Sequence, residues 1–290
     1  MAQWERGRET MSAAQLQRVV VRMLFDSTFV DRIYQDAVSA LGDTDVTERE
    51  ARWLTQVDPR RWRADPLRAA RSLHALLEEF PISVMAACPR GNAADLIAFF
   101  RSQQFHTAIM EDGSLAVTFA EWLSLQSTVC QPYVTLELAM ARLRRRQRAD
   151  LTLGRRDGHV QTASTVIAIT LPTGTLKAYM DGLASIRQDA DGVVHFLVNN
   201  SMSLPSLSDG FQEGVLVEST PDISLSEVSL ELAHVLALLA DGCSTADAIA
   251  ALIDCGSSPL DAPDVLKSLL KDGLIMGPID YETPSTFIPS

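Results

Sequence analysis

The sequence predicts an α+β protein, with an all-helical N-terminal domain followed by a winged-helix-like α+β module. Three observations point there. Apolar residues recur at three- and four-residue steps through the first half, the period of one buried helical face. A β-branched run at 165–170 (TVIAIT) and an alternating one at 223–228 (ISLSEV) read as strands. The last third runs strand, strand, helix, helix, helix, which is winged-helix order.

The helical half is justified element by element. Leu16, Val19, Val20, Met23 and Leu24 make one apolar face. Asp26 and Ser27 then interrupt it and cap a second helix carrying Phe29, Val30 and Ile33. Thr47 and Glu50 stand at capping-box spacing ahead of Ala51, Leu54 and Val57. Asp65-Pro66 reads as an N-cap with proline at the first helical position. It opens a helix through Leu67, Ala70, Leu73, Leu76 and Leu77 that stops before Pro81. Further helices fall at 94–100, 114–125 and 133–147. The helical domain therefore spans 12–147. Gly154, Asp157 and Gly158 mark a linker over 148–163, and the second module covers 164–290.

In that module, 165–170 and 193–198 read as strands around a helix holding Leu176, Tyr179, Met180 and Leu183. The stretch 199–210 is rich in Ser, Asn and Pro and reads as an irregular excursion. Strands at 215–218 and 223–228 flank the turn Thr220-Pro221-Asp222. An apolar helix from Leu230 to Leu239 ends at Asp241-Gly242, and Ser244 caps a second with Ala248, Ile249 and Leu252. Asp261-Ala262-Pro263 opens a third with Val265, Leu266, Leu269 and Leu270, closed by Gly273. Leu274, Ile275 and Met276 form a tail or wing strand.

Composition narrows the function classes. With 47% hydrophobic residues there is material for a core. No stretch approaches the roughly 18–20 apolar residues of a membrane span. The first ten residues are polar and mixed in charge, unlike a secretory signal, and Met11 could be the natural start. Four cysteines at unrelated spacings, with no CxxC, speak against a disulfide scaffold or a thiolate zinc site. A cytoplasmic protein without a membrane partner is expected. The net charge of −12 is uneven: 21 Lys/Arg stand against 20 Asp/Glu in residues 1–160, and 4 against 17 in 161–290. An acidic half is repelled by a phosphate backbone. The third helix offers only Lys267 and Lys271 among Asp261, Asp264 and Asp272, poor equipment for reading DNA. No nucleic-acid partner is expected.

Catalytic signatures are scarce. His74, His106, His159, His195 and His234 are never three or four residues apart, and there is no HExxH, P-loop or GxSxG. Each histidine is expected to be a surface residue or a hydrogen-bonded core one. Two features suit binding instead. Trp53, Arg60, Arg61, Trp62, Arg63 and Arg68 crowd one stretch, and guanidinium groups with tryptophan are common at protein interfaces. The alternative for such arginines is a solvated face, and for the Arg142–Arg148 run it is cations complementing a helix C-terminus. The second feature is an open sheet edge at 223–228, able to accept an extended peptide. Ile223, Leu225 and Glu227 would line it, with Val265, Leu266, Leu269 and Leu270 of the third helix as the apolar wall. The alternative is that all four helix residues are core.

A family resemblance bears on these features. LQRVVVRMLFD (16–26), REARWLTQVDPRRWRADPLR (49–68), LLEEFPIS (76–83), FHTAIMEDGSLAVTFAEWL (105–123) and PYVTLELAMARLRRR (132–146) carry it. In these stretches the chain resembles the TglI/MbnC-like partner proteins of the TIM-barrel multinuclear-iron oxygenases that modify ribosomally made peptides. The TglI type, of 3-thiaglutamate biosynthesis, is the nearer. ISLSEVSLELAHVLALLADGCSTADAIAALI (223–253) is similar to the PqqD-type element that recognises leader peptides. The resemblance implies a non-catalytic adaptor. It would bind the leader of a precursor peptide and present it to an oxygenase that excises the β-carbon of a peptide cysteine. Iron would sit in the partner and no cofactor in this chain. Two alternatives stay open: an enzyme subunit lending residues to the iron site, and a winged-helix transcriptional regulator.

Overall fold

The computed structural model describes residues 15–88, 93–148, 159–188 and 210–277 except 43, 45, 66 and 112, together with 204, 205 and 207. The strand expected at 193–198 lies outside the described residues, as does most of the 199–210 excursion. The architecture is α+β, with many helices and a few antiparallel strands. The chain divides into two compact units, Met1–Val134 with Ser185–Ser203, and Thr135–Ala184 with Leu204–Ser290.

The described part of the first unit is helical. Residues 15–25 form one helix, and Asp26 ends it and caps the next, Ser27–Gln35, by accepting the Phe29 N–H at 3.0 Å. A complete capping box at Thr47 and Glu50 opens Glu48–Gln56. These helices bury Val19, Met23, Phe29, Val30, Ile33, Leu41 and Leu54 in one cluster. Rings from Phe99, Phe100, Phe105, Phe119 and Trp122 meet with centroids 5.0–6.0 Å apart, mostly edge to face. Asp65 does not cap where the sequence suggested. The helix it precedes is Arg68–Glu79, and the Asp65 carboxylate accepts from the Leu67 N–H and pairs with Arg71. The helix Gln103–Met110, absent from the sequence reading, packs between Ala98–Arg101 and Leu115–Gln126.

In the second unit three strands, β2 (Val166–Pro172), β3 (Gln212–Ser219) and β4 (Ile223–Val228), form an antiparallel sheet in the order β2-β3-β4. A separate pair joins β1 (Gln161–Thr162) to β5 (Ile275–Met276). The end of the segment read as linker is thus a strand. It exists because the expected wing residues Ile275 and Met276 need a partner for their backbone groups. The helix Gln131–Arg148, read as the end of the helical domain, belongs from Thr135 onward to this unit. There Leu136, Ala139, Met140 and Leu143 are buried, and the Tyr179 hydroxyl lies 3.9 Å from the Met140 Sδ.

The register sorts the sheet into two faces. Gly214 pairs with Val228, Leu216 with Ser226 and with Ala168, and these share one face. The helix Leu230–Leu238 packs on that face over β2 and β3, and Thr245–Asp254 and Ala262–Lys271 complete the core beside it. That core gathers Val166, Leu216, Val235, Leu236, Leu252, Leu266 and Leu269. The opposite face carries Val215 and Val217, both fully buried. Glu213 lies on that second face, and its carboxylate accepts the Gly174 N–H at 2.8 Å and the Leu176 N–H at 2.7 Å. The helix Thr175–Arg187 is thereby capped from 39 residues away in sequence. Charge-assisted bonds at a helix N-terminus are strong, so Glu213→Ala should cost about 2 kcal/mol in urea denaturation. Glu213→Gln, which keeps an acceptor but loses the charge, should cost about half of that.

Candidate peptide-binding edge and partner surface

β4 is an edge strand. Among the described residues it pairs with β3 on one side and with no strand on the other. Its outer margin therefore presents backbone donors and acceptors of the kind an extended guest can use. The hairpin from β3 sets this margin in place through the turn at Thr220-Pro221-Asp222.

The side chains around the margin differ from the sequence expectation in one respect. Val217 pairs with Leu225 and Ser219 with Ile223, so Ile223, Leu225 and Glu227 lie on the Val215–Val217 face. The module's core lies on the other face, but the helix seated on the sheet there is Leu230–Leu238, over β2 and β3, and Ser224 and Ser226 are exposed. A guest alongside β4 would thus show alternate side chains to two different surroundings. Every second one would lie beside Ile223 and Leu225, and the intervening ones toward the exposed Ser224 and Ser226. The alternation in ISLSEV was legible. The choice of face depends on the pairing of Leu216 with Ser226, which no local pattern encodes.

The helix residues also separate. Leu266 and Leu269 are buried in the module's own core and are not open to a guest. Val265 is half-buried at the margin of that core, and Leu270 is 36% exposed. Of the four only Val265 and Leu270 keep apolar surface, because the helix turns its inner stripe to Leu252 and Ile275 of the same core. At the opposite edge of the sheet, beside β2, a cleft of about 500 Å³ opens with Arg142 and Arg146 on its wall.

In the helical unit the six residues expected at a partner interface divide evenly. Trp62 packs against the Phe29–Leu54 cluster, and its indole N–H donates to the Tyr34 hydroxyl at 3.0 Å. That hydroxyl in turn donates to the Leu54 and Val57 carbonyls, so Trp62 is a structural post. Arg63 pairs with Asp31, and Arg68 donates to the Leu24 carbonyl at 3.3 Å, so both tie helices together. Trp53, 48% exposed beneath the Arg49 guanidinium at 5.0 Å, and the exposed Arg60 and Arg61 remain available to a partner. Arginine over tryptophan is a cation–π pair of the sort found at protein interfaces.

Titratable groups elsewhere offer little chemistry. Among the described residues no group of three or more His, Cys, Asp or Glu could hold a metal ion. No helix there is long and apolar enough to cross a membrane. All four cysteines are free thiols, and burial pushes those of Cys88 and Cys243 up, away from the nucleophilic thiolate. His106 departs from the expectation for histidines. It is a core residue, 7% exposed, and neither ring nitrogen has a hydrogen-bond partner. No protein-family model matches the chain, and no curated protein matches it.

Proposed function

We propose that the second unit is a winged-helix-like recognition module, and that it takes the leader of a ribosomally made precursor peptide as an added strand on β4. The chain as a whole is a non-catalytic cytoplasmic adaptor that presents the peptide to an iron-dependent oxygenase, in the manner its sequence resemblance implies. The observation that carries this reading is the margin of β4, which has no strand partner among the described residues. Ile223 and Leu225, both only partly buried, support it, since they leave apolar area on β4 itself for guest side chains. Trp53, Arg60 and Arg61 are the residues offered to the oxygenase. The oxygen chemistry and the iron belong to that partner.

Two proline variants test the added strand. Successive N–H groups of a strand point alternately to its two sides. Of Ser224→Pro and Leu225→Pro, one therefore removes a ladder donor to β3 and the other a donor on the open margin. The margin variant should keep its fold and bind a labelled leader peptide about tenfold more weakly than the unaltered protein does. The ladder variant should lose stability. Unchanged affinity in a folded protein for both variants removes β4 as the site. If affinity then falls with Arg146→Gln, the guest adds to β2 beside its cleft instead.

The acidic surface of this unit adds a further expectation. Glu227 is exposed on β4 itself, and Glu218 lies on the neighbouring β3. A leader bearing Lys or Arg should bind more weakly as salt rises, because exposed charges are screened within about 8–10 Å. Fluorescence titration across ionic strength checks this. Iron in the purified pair that depends on a histidine of this chain would replace the adaptor reading with a shared metal site.

A further inference from the structure

The helical unit contains a cleft of about 680 Å³ that the adaptor reading does not use. Its walls come from the helices 15–25, Ser27–Gln35 and Gln103–Met110, and they carry Arg18, Arg22, Arg32, Phe29 and His106. Two kinds of observation mark it as a built site. One is the set of buried polar atoms without partners. Both ring nitrogens of His106 and the Nε of Arg22 are buried and make no hydrogen bond. Leaving such groups unmatched is costly, and the Arg22 Nε–H and one N–H of the His106 ring, or both once it is protonated, can donate to an anion. The nearest carboxylate oxygen, Oδ2 of Asp26, stands 3.9 Å from His106 Nε2 and 4.0 Å from Arg22 Nε, beyond hydrogen-bond reach of either.

The second is the arrangement of charge. Arg22 and Arg32 both lie over the Phe29 ring, 3.9 and 5.5 Å from its centroid. The acidic residues nearby each have one oxygen engaged in a helix cap, and the other oxygen of Asp26 is the one that faces Arg22 and His106 at ion-pair distance. Asp26 caps Ser27–Gln35, and Asp36 caps Ala37–Ala40 by accepting the Ser39 N–H. Glu111 is the remaining acid on the cleft wall. The volume lies in the range of small-ligand sites, and Val19, Ala40 and Ile109 add apolar surface for the body of a molecule.

We propose that this cleft binds a small organic oxyanion, a carboxylate or a phosphate ester, whose oxygens bond to His106 and Arg22 while Arg32 supplies long-range attraction. A guanidinium fork fits either group, so the shared chemistry is the oxyanion. Binding makes the imidazolium form of His106 favourable, because the incoming negative charge faces a ring otherwise surrounded by Arg22, Arg32 and Asp26.

The test follows the His106 ring by NMR in the full chain, with inorganic phosphate and succinate as probes. His106→Asn identifies the resonance. Either probe should shift the ring signals saturably and raise the pH at which His106 titrates. Arg32→Gln, at an exposed position, should weaken that probe about tenfold. Arg22→Gln, checked for retained fold by circular dichroism, should weaken it further. Phosphate alone, succinate alone or both acting this way assigns the anion class. No shift with either probe, or a shift of the same affinity in folded Arg32→Gln and Arg22→Gln proteins, overturns the proposal.

Discussion

Acidification from pH 6.5 to about 4 is expected to remove up to about 3 kcal/mol of stability through His106 alone. Burial lowers its pKa from the usual 6.5 to about 4, and Arg22 and Arg32 push in the same direction. Asp26 opposes them without prevailing. The sign follows from proton counts. Between the two pKa values the unfolded chain takes up a proton that the folded chain refuses, so acid favours unfolding. The contribution is fully present above pH 6.5, is lost progressively as the pH falls toward 4, and changes no further below that. Urea denaturation at a series of pH values reads the effect directly. His106→Leu provides the comparison. It removes both unpartnered nitrogens, so it should be neutral or stabilising at pH 7 and should flatten this part of the pH profile. Equal acid sensitivity in the two proteins would mean that the imidazole is readily protonated in the folded state.

His106 stands on a helix that no periodic apolar pattern announces. The helix that carries it, Gln103–Met110, was missed because QQFHTAIM has no clean apolar stripe. A signal was present: Ser102 accepts the Phe105 N–H at 3.2 Å, as an N-cap serine does. The caps at Asp26, Thr47 and Ser244 were legible because each stands directly before a periodic run. Ser102 follows the buried pair Phe99 and Phe100 and was hidden by it. β2, β3 and β4 were legible for the same local reason, down to the bounds of β4, whereas β1 falls in the segment that reads as linker.

Pairings were another matter. Nothing near Gln161 announces Met276, and nothing in ISLSEV says that Ile223 and Leu225 share a face with Val215 and Val217. Such facts depend on contacts between distant segments, which a local pattern does not carry. The partner surface was half legible on the same terms. Tryptophan among arginines pointed to that stretch, but only the fold separates Trp62, bonded to Tyr34, from the exposed Trp53.

Gly214→Ala should cost about 2–3 kcal/mol, and Gly214→Val more, through overpacking alone. Gly214 lies in β3 between Thr170 and Val228. A Cβ there would stand 2.8 Å from the carbonyl oxygens of both Val228 and Ser229, and 3.0 Å from the Ala233 Cβ. Two of those three atoms are backbone, so no rotamer change relieves the contact. The helix Leu230–Leu238 begins directly over this position, and the absent side chain lets it approach the sheet. Relief requires the helix start to lift, which loosens Leu236 and Val235 from the core and moves the end of β4 at Val228. Gly256→Ala separates this packing cost from a conformational one. Gly256 has φ +102° but nothing within 4 Å of an added Cβ, so only backbone strain of about 1–2 kcal/mol is expected there. If Gly214→Ala unfolds at the wild-type urea midpoint while Gly256→Ala does not, the helix is not seated on the sheet at this point. The margin proposed for the leader would then lose its fixed end. A correct seating predicts instead that Gly214→Ala lowers both the midpoint and the affinity for the leader, since the same contact positions helix and edge strand.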